Sequence, residues 1–286
     1  THPGNTGRLL DGLTALGLLR KDAGRYHNSA KAAEFLTRSS PFFLGGMFAW
    51  IKTWTNAMLF LPSLVKKGPP PLPPASLSPR GMYHDTVRFS INYARAGLAQ
   101  QTAAAVAVLP EFPRLERMLD FGGGAGVFCL AIVDRHPRLR GVILDQPSVV
   151  EAARQCIVEH GLAERVSAEA RDLAVDDLGQ GYDLIFACMT LNHFMHDMPG
   201  VLRRIRSALA PGGIFVDLHE GLAADRTSPL IHAVASLPFS MVGGVEEPIF
   251  RQGVLAEALL EAGFRGVRTR TLETSLGPLD MNVARQ

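Results

Sequence analysis

Cysteine is scarce, net charge is close to zero, and no apolar run is long and unbroken. Among 286 residues there are three cysteines, Cys129, Cys156 and Cys188. An odd set of thiols in apolar stretches, without metal-ligand spacing, argues against a disulfide framework and against any bound metal; it implies reduced thiols and a cytoplasmic setting. A formal net charge of +2 gives no bias toward polyanionic partners. The chain carries no signal-peptide pattern and no internal repeat. Its most apolar segment, Pro41 to Val65, is broken by Gly45, Gly46, Lys52, Asn56 and Pro62, whereas a membrane span needs about 20 consecutive apolar residues. No membrane contact is therefore expected, and the segment reads as a pair of core or interface helices whose aromatics roof a pocket. With 47% hydrophobic and 20% charged residues, the chain can bury one large core and an accessory one.

What is present is a glycine-rich turn between a strand and a helix. Met118 and Leu119 end an apolar strand, Asp120 follows, and Gly122, Gly123, Gly124 and Gly126 precede the apolar helix that starts at Val127. Glycine accepts positive φ and lets backbone approach a ligand that a Cβ would exclude. The dinucleotide fingerprint needs its third glycine three residues after the second. Here that residue is Val127, and the glycine comes one earlier. A second apolar strand, Gly141 to Leu144, ends at Asp145, 21 residues beyond Gly124. A carboxylate there can accept hydrogen bonds from both hydroxyls of a ribose and repels a phosphate. Dehydrogenases share that acid, so an NAD-dependent dehydrogenase stays open on Asp145 alone. A third acid, Asp172, follows the strand-like segment Val166 to Ala170 and either lies beside a ligand or caps a turn.

The Asp-x-Gly-x-Gly-x-Gly pattern at Asp120, Gly122, Gly124 and Gly126 resembles the first motif of class I S-adenosylmethionine-dependent methyltransferases. Tyr182 to Ala187 resembles their fourth strand, and Leu209 to Val216 their fifth, with a Pro-Gly-Gly turn. The run Leu144-Asp145-Gln146-Pro147 is similar to the small-molecule O-methyltransferase branch that includes hydroxyindole and plant phenolic enzymes, although that branch usually has leucine where Gln146 stands. The resemblance implies an α/β fold with a Rossmann-like class I sheet and S-adenosylmethionine as cofactor. It places Asp120, the three motif glycines, Asp145, Gln146, Asp172 and Leu173 around that cofactor, with Leu173 against the adenine, and a small molecule as methyl acceptor.

Residues 1–74 are expected to form an accessory unit and residues 75–286 the catalytic domain. Gly7 to Leu19 has helical apolar spacing, Lys21 to Asn28 reads as a hairpin, and Ser29 to Leu36 as a second helix. This arrangement resembles a winged helix, which raises a DNA-binding regulator as an alternative. Phosphate contacts need clustered Lys and Arg. Arg8 is nearly alone on its helix, and Arg20, Lys21 and Arg25 are scattered. In the O-methyltransferase branch such a unit dimerises and closes the partner's substrate site, so a homodimer without nucleic acid is expected. The family also carries a further N-terminal helical segment, and a chain that starts at Thr1 reads as truncated or processed. Gly68 to Pro74 is an extended, proline-rich spacer, and the α/β region follows a helix over Asp85 to Val108.

Methyl transfer to a hydroxyl needs alignment and a base. The loop after the fourth strand reads Met189 to Met198 and contains two histidines. The branch carries Leu-His-Asp-Trp there, with histidine as base. Matching by letter selects His196, with Asp197 holding its ring; counting without gaps from Asp183 puts Asn192 at the histidine position and His193 next to it. Both alignments stand on the sequence. Asp217 and His219 alternate on the fifth strand, and Glu220 follows near a frequent family acid. Glu246 and Glu247 sit just before a helix expected over Phe250 to Glu261, near a second family acid that supports the catalytic histidine; either could equally be a helix N-terminal charge, and Glu246 joins the catalytic candidates. Methylation at sulfur, nitrogen or carbon uses the same scaffold and remains an alternative to oxygen.

Overall fold

Local signals set the N-terminal elements. The structure, a computed structural model, describes residues 1–68, 90–243 and 249–286. Helix α1 (Pro3–Ala15) begins with proline in its first turn and is capped by the His2 ring, which accepts from the Asn5 N–H. Strands β1 (Leu19–Asp22) and β2 (Arg25–Asn28) form an antiparallel hairpin through Ala23 and Gly24, both at positive φ. Asp11 on α1 accepts from Lys21 Nζ and Tyr26 Oη, each at 2.7 Å, tying hairpin to helix. Helix α2 (Ala30–Phe35) is capped by Ser29, followed by α3 (Gly45–Ala57), a 3-10 turn (Met58–Phe60) and α4 (Leu61–Lys67). The expected boundary at residues 74 and 75 lies outside the described residues, as does all but Gly68 of the proline-rich spacer.

A π-turn (Ala94–Leu98) leads into α5 (Ala99–Ala107), and strands and helices then alternate. They are β3 (Arg117–Phe121), α6 (Val127–Asp134), β4 (Arg140–Asp145), α7 (Pro147–Glu159), β5 (Val166–Ala170), β6 (Tyr182–Cys188), a 3-10 segment (Leu191–Asp197), α8 (Met198–Ala208) and β7 (Leu209–Leu222). Helix α9 (Leu230–Gly243), β8 (Phe250–Arg251), α10 (Val254–Glu261), β9 (Gly266–Thr274) and β10 (Gly277–Arg285) complete the order. The sheet runs β5-β4-β3-β6-β7-β10-β9; β8 pairs with β7 off this path. Neighbours from β5 to β7 are parallel, and β10 runs antiparallel to β7 and β9.

Strand alternation divides the core. Met118, Ile143, Leu184, Phe186 and Val216 face α5, α6 and α7, while Leu119, Phe121, Ile185 and Phe215 face α8 and α10. Chain order reverses between β3 and β6, and the ends of such strands open the crevice where α/β folds bind ligands. Two local expectations shift. Pro211 to Gly213 is an irregularity inside β7, where pairing slips between Tyr182 and Leu184, rather than a turn before it. Phe250 joins β8 beside β7, and the helix expected from it starts at Val254 behind Gly253, a left-handed cap. Among the described residues no helix is long and apolar enough to cross a membrane.

Candidate active site

The glycine turn after β3 is built so that side chains would collide. Gly122, Gly124 and Gly126 have φ of 69°, 58° and 75°, the left-handed region that favours glycine. A Cβ on Gly122 would stand 2.3 Å from Thr190 Cγ2, and one on Gly126 2.3 Å from Ile143 Cδ1. The turn therefore packs closely from below while Gly122 to Gly124 stay half-exposed on the crevice side.

Two carboxylates lie against this turn. Asp145, at the tip of β4, accepts from the Gly124 N–H at 2.8 Å and the Gln146 N–H at 2.7 Å. Burial raises its pKa, opposed by those two N–H groups and by His193. Asp120 is 1% exposed, and its Oδ2 has no hydrogen-bond partner. Burial, together with the Asp145 charge, pushes its pKa up to about 7, against the pull of the Cys129 N–H. A cation on the crevice side would ease this arrangement, and a pyrophosphate would worsen it. The charge distribution at this turn is compatible with a ligand that carries a positive group and hydroxyls: Asp145 could accept from a diol, the charge of the buried Asp120 would favour a cation above the turn, and the glycine backbone would allow close approach.

The remaining cofactor candidates divide. Gln146 is exposed and serves as the residue before α7. Leu173 is buried in the α8-side core. Asp172 is exposed; its Oδ1 accepts from Ala174 N, and its own N–H donates to Asp176, so it caps a turn in this structure.

The loop after β6 is tied to the glycine turn by backbone strain and one hydroxyl. Met189 takes φ 50°, unusual for a side chain of its size, and Thr190 Oγ1 then reaches Gly122 O at 3.2 Å and Cys188 O at 3.0 Å. In the 3-10 segment that follows, Leu191 is buried and Phe194 packs on Phe121 at 5.6 Å between centroids. Asn192 is half-buried, with Oδ1 lacking a partner. His193 is solvent-accessible but crowded enough that desolvation lowers its pKa, with Asp145 pulling the other way. That mutual influence puts His193 in the neighbourhood of Asp145. His196 is exposed. Asp197 accepts from the Gly200 N–H at 3.2 Å and caps α8, so its carboxylate serves the helix rather than the His196 ring. Glu246 and Glu247 lie outside the described residues.

Sequence patterns missed several neighbours. Tyr93 is buried beside Phe128, 6.5 Å between centroids, and is close enough to Cys188 and Glu220 that, after burial, their charges raise its pKa. Thr190, Tyr93 and Cys188 carry no motif, and only the strand ends bring them together. Asp217 and His219 do share a face: His219 Nδ1 meets Asp217 Oδ2 at 2.6 Å in a fully buried pair, opposite Asp280 on β10. Burial works to lower the His219 pKa, but Asp217 outweighs it and the net shift is upward. Among the described residues no group of three or more His, Cys, Asp or Glu side chains could hold a metal ion.

A sheet of this order, with a glycine turn after its central strand and an acid ending the next, defines a class I methyltransferase. The chain matches the O-methyltransferase domain over residues 83–265, more than half its length. It is 27% identical over 263 residues to the 3-hydroxy-5-methyl-1-naphthoate 3-O-methyltransferase of Streptomyces sahachiroi, covering 91% of this chain and 76% of the relative. It is 26% identical over 279 residues to the N,N-dimethyltransferase OxyT of Streptomyces rimosus, covering 94% and 79%. The fold superposes on human N-acetylserotonin methyltransferase, solved in complex with SAM, with a TM-score of 0.80 at 22% identity, covering 99% and 83% of the two chains. The chain belongs to the O-methyltransferase domain family, whose members are S-adenosylmethionine-dependent methyltransferases.

Proposed function

We propose that this chain methylates a hydroxyl of a small molecule, with a histidine of the 191–197 loop taking the proton. The carrying observation is the buried, unpartnered Asp120 oxygen beneath the glycine turn and beside Asp145. Two carboxylates at one turn suit an amino-acid ammonium and a ribose and disfavour the pyrophosphate of NAD. S-adenosylmethionine supplies an activated methyl group when bound. Asp145 would hold its ribose and Asp120 its ammonium, Leu173 would pack near the adenine with Asp172 and Gln146 at the rim, and Gly122, Gly124 and Gly126 would admit its backbone-hugging part. His193 is supported as base by its lowered pKa, which keeps the ring neutral and ready to accept a proton at neutral pH. His196 is the second candidate. Asn192 would orient the acceptor by accepting its O–H, and Glu246 would support the base. Calorimetry with S-adenosylmethionine, S-adenosylhomocysteine and NAD tests the reading; binding of NAD alone would overturn it.

Transfer to nitrogen is a second reading. An amine attacks without prior loss of a proton, and Asn192, not a histidine, occupies the gap-free position with an unsatisfied Oδ1 that suits an N–H donor. The relation to an N,N-dimethyltransferase supports keeping it.

The N-terminal helix–hairpin–helix supports a winged-helix-like unit within residues 1–74, ahead of a catalytic unit over 75–286. None of the residues of α1 or α4 is buried, and Leu9, Leu16, Leu59 and Val65 are more than half exposed. Such apolar faces favour a homodimer over a nucleic-acid reader. Light scattering at twice the chain mass is the expected result. Three free cysteines, two of them buried, agree with a cytoplasmic protein.

A further inference from the structure

The short helical stretch at residues 90–93 touches three parts of the molecule at once. Ser90 Oγ lies 3.8 Å from where a Cβ on Gly124 would stand, so it sits over the cofactor turn. Tyr93 reaches the strand ends near Cys188 and Glu220. Asn92 points the other way. Its Oδ1 accepts from the Gly46 N–H at 2.8 Å and the Met47 N–H at 3.2 Å, across more than forty residues of chain.

These are the second and third N–H groups of α3, the donors that a capping side chain normally satisfies. The sequence before α3 offers no such cap, because Leu44 occupies that position. Gly45 is needed beside it, since a Cβ there would stand 2.2 Å from the Phe43 ring. The helix therefore borrows its cap from the segment over the cofactor turn. The other end of that segment is anchored: Arg95 donates to Glu159 on α7 at 2.9 Å, and the π-turn with Gly97 at φ 125° sets its direction against α5.

We propose that Asn92 is a positioning residue that couples filling of the cofactor turn to the placement of α3, and so sets acceptor affinity without touching either substrate. The proposal rests on the cofactor reading above. It assigns α3 to the acceptor side, and it predicts that the cofactor orders α3 before the acceptor binds.

The chain's two tryptophans, Trp50 and Trp54, both lie on α3, so tryptophan emission reports that helix alone. S-adenosylhomocysteine is titrated into the full chain by calorimetry and by fluorescence. In the wild type, emission changes with the calorimetric midpoint. Asn92→Leu binds S-adenosylhomocysteine within about twofold of wild type but loses the emission change, and its acceptor KM rises about 5–10-fold with kcat less affected, the scale of a lost cap. Asn92→Asp restores both, because a carboxylate caps as well as an amide. If Asn92→Leu does not fold, Asn92→Gln replaces it, keeping the amide but displacing its oxygen. An emission response that survives in Asn92→Leu, or is not restored by Asn92→Asp, overturns the coupling. Binding without any emission change in the wild type does so too. Absence of S-adenosylhomocysteine binding in the wild type overturns the cofactor reading itself.

Discussion

The turn after β3 and the loop after β6 leave the same edge of the sheet, yet they are built in opposite ways. The first is specified by backbone: glycines at positive φ, contacts that a Cβ would break, and two carboxylates already held or buried. The second is specified by side chains: Leu191 is buried, Phe194 packs on Phe121 and Asp197 caps α8, which leaves the two histidines at the surface. His193 and His196 are exposed, and the nearest acid to His196 in sequence is used as a helix cap. A ligand shared by many enzymes can be met by a rigid backbone cradle. An acceptor that differs from one relative to the next needs side chains that can be exchanged without disturbing the sheet.

The sharpest way to break this contrast is at the histidines. If the loop carries the base, His193→Ala or His196→Ala lowers turnover by about 10²–10⁴-fold with cofactor affinity nearly unchanged. Steady-state rates beside calorimetry would identify which ring acts. Turnover that survives the double replacement points to a pre-ionised or nitrogen acceptor, and the loop then contributes alignment only.

The buried half should reveal itself through pH. Asp120, with its pKa raised to about 7 from the usual 3.8, binds a proton more tightly folded than unfolded. Its effect on stability is therefore neutral below the unfolded value and turns increasingly unfavourable as pH rises from about 4 to 7. His219, also raised, adds stability that is present below the unfolded histidine value and is lost as pH climbs through its folded one. Asp120→Asn is expected to stabilise the ligand-free protein at pH 8 by about 2–4 kcal/mol and to change it little at pH 4, while weakening S-adenosylmethionine. Melting curves at the two pH values check this; equal shifts at both would mean that Asp120 is not protonated near neutrality.

Asp145→Ala tests the cradle more gently. Losing a charged acceptor for two hydroxyls should weaken S-adenosylmethionine by about 1.5–3 kcal/mol, measured by calorimetry, with the acceptor KM moving little. An unchanged affinity would leave the glycine backbone and Asp120 to hold the cofactor.

The two regions were also unequally legible in the sequence. Asp120, the motif glycines and Asp145 follow from a strand, a turn and a second strand, and local chemistry fixes such features. The loop histidines could not be ordered, because letters favoured His196 and spacing favoured Asn192 and His193. The structure shows why letters alone are weak there: Asp197, the residue that made the match attractive, answers to the Gly200 N–H in the first turn of α8. Asp172, read either as a cofactor contact or as a cap, likewise spends its side chain on a turn. Tyr93, Thr190 and the Asn92 cap are contacts between distant segments, for which neither periodicity nor composition carries a signal.

The smallest expected effect decides what Asp197 does. As the cap of α8 it accepts one N–H, from Gly200 at 3.2 Å, at an exposed position. Asp197→Ala should then cost about 1 kcal/mol of stability and leave turnover close to wild type. Asp197→Asn separates the two roles, because asparagine caps a helix about as well as aspartate but cannot stabilise a histidine that gains a proton. A cap predicts that Asp197→Asn keeps both melting temperature and turnover. A partner of His196 predicts a preserved melting temperature with turnover reduced, since the imidazolium formed on proton transfer would lose the carboxylate beside it. That second outcome would move the base to His196 and give the loop the organised acid–histidine pair that it lacks without a bound acceptor.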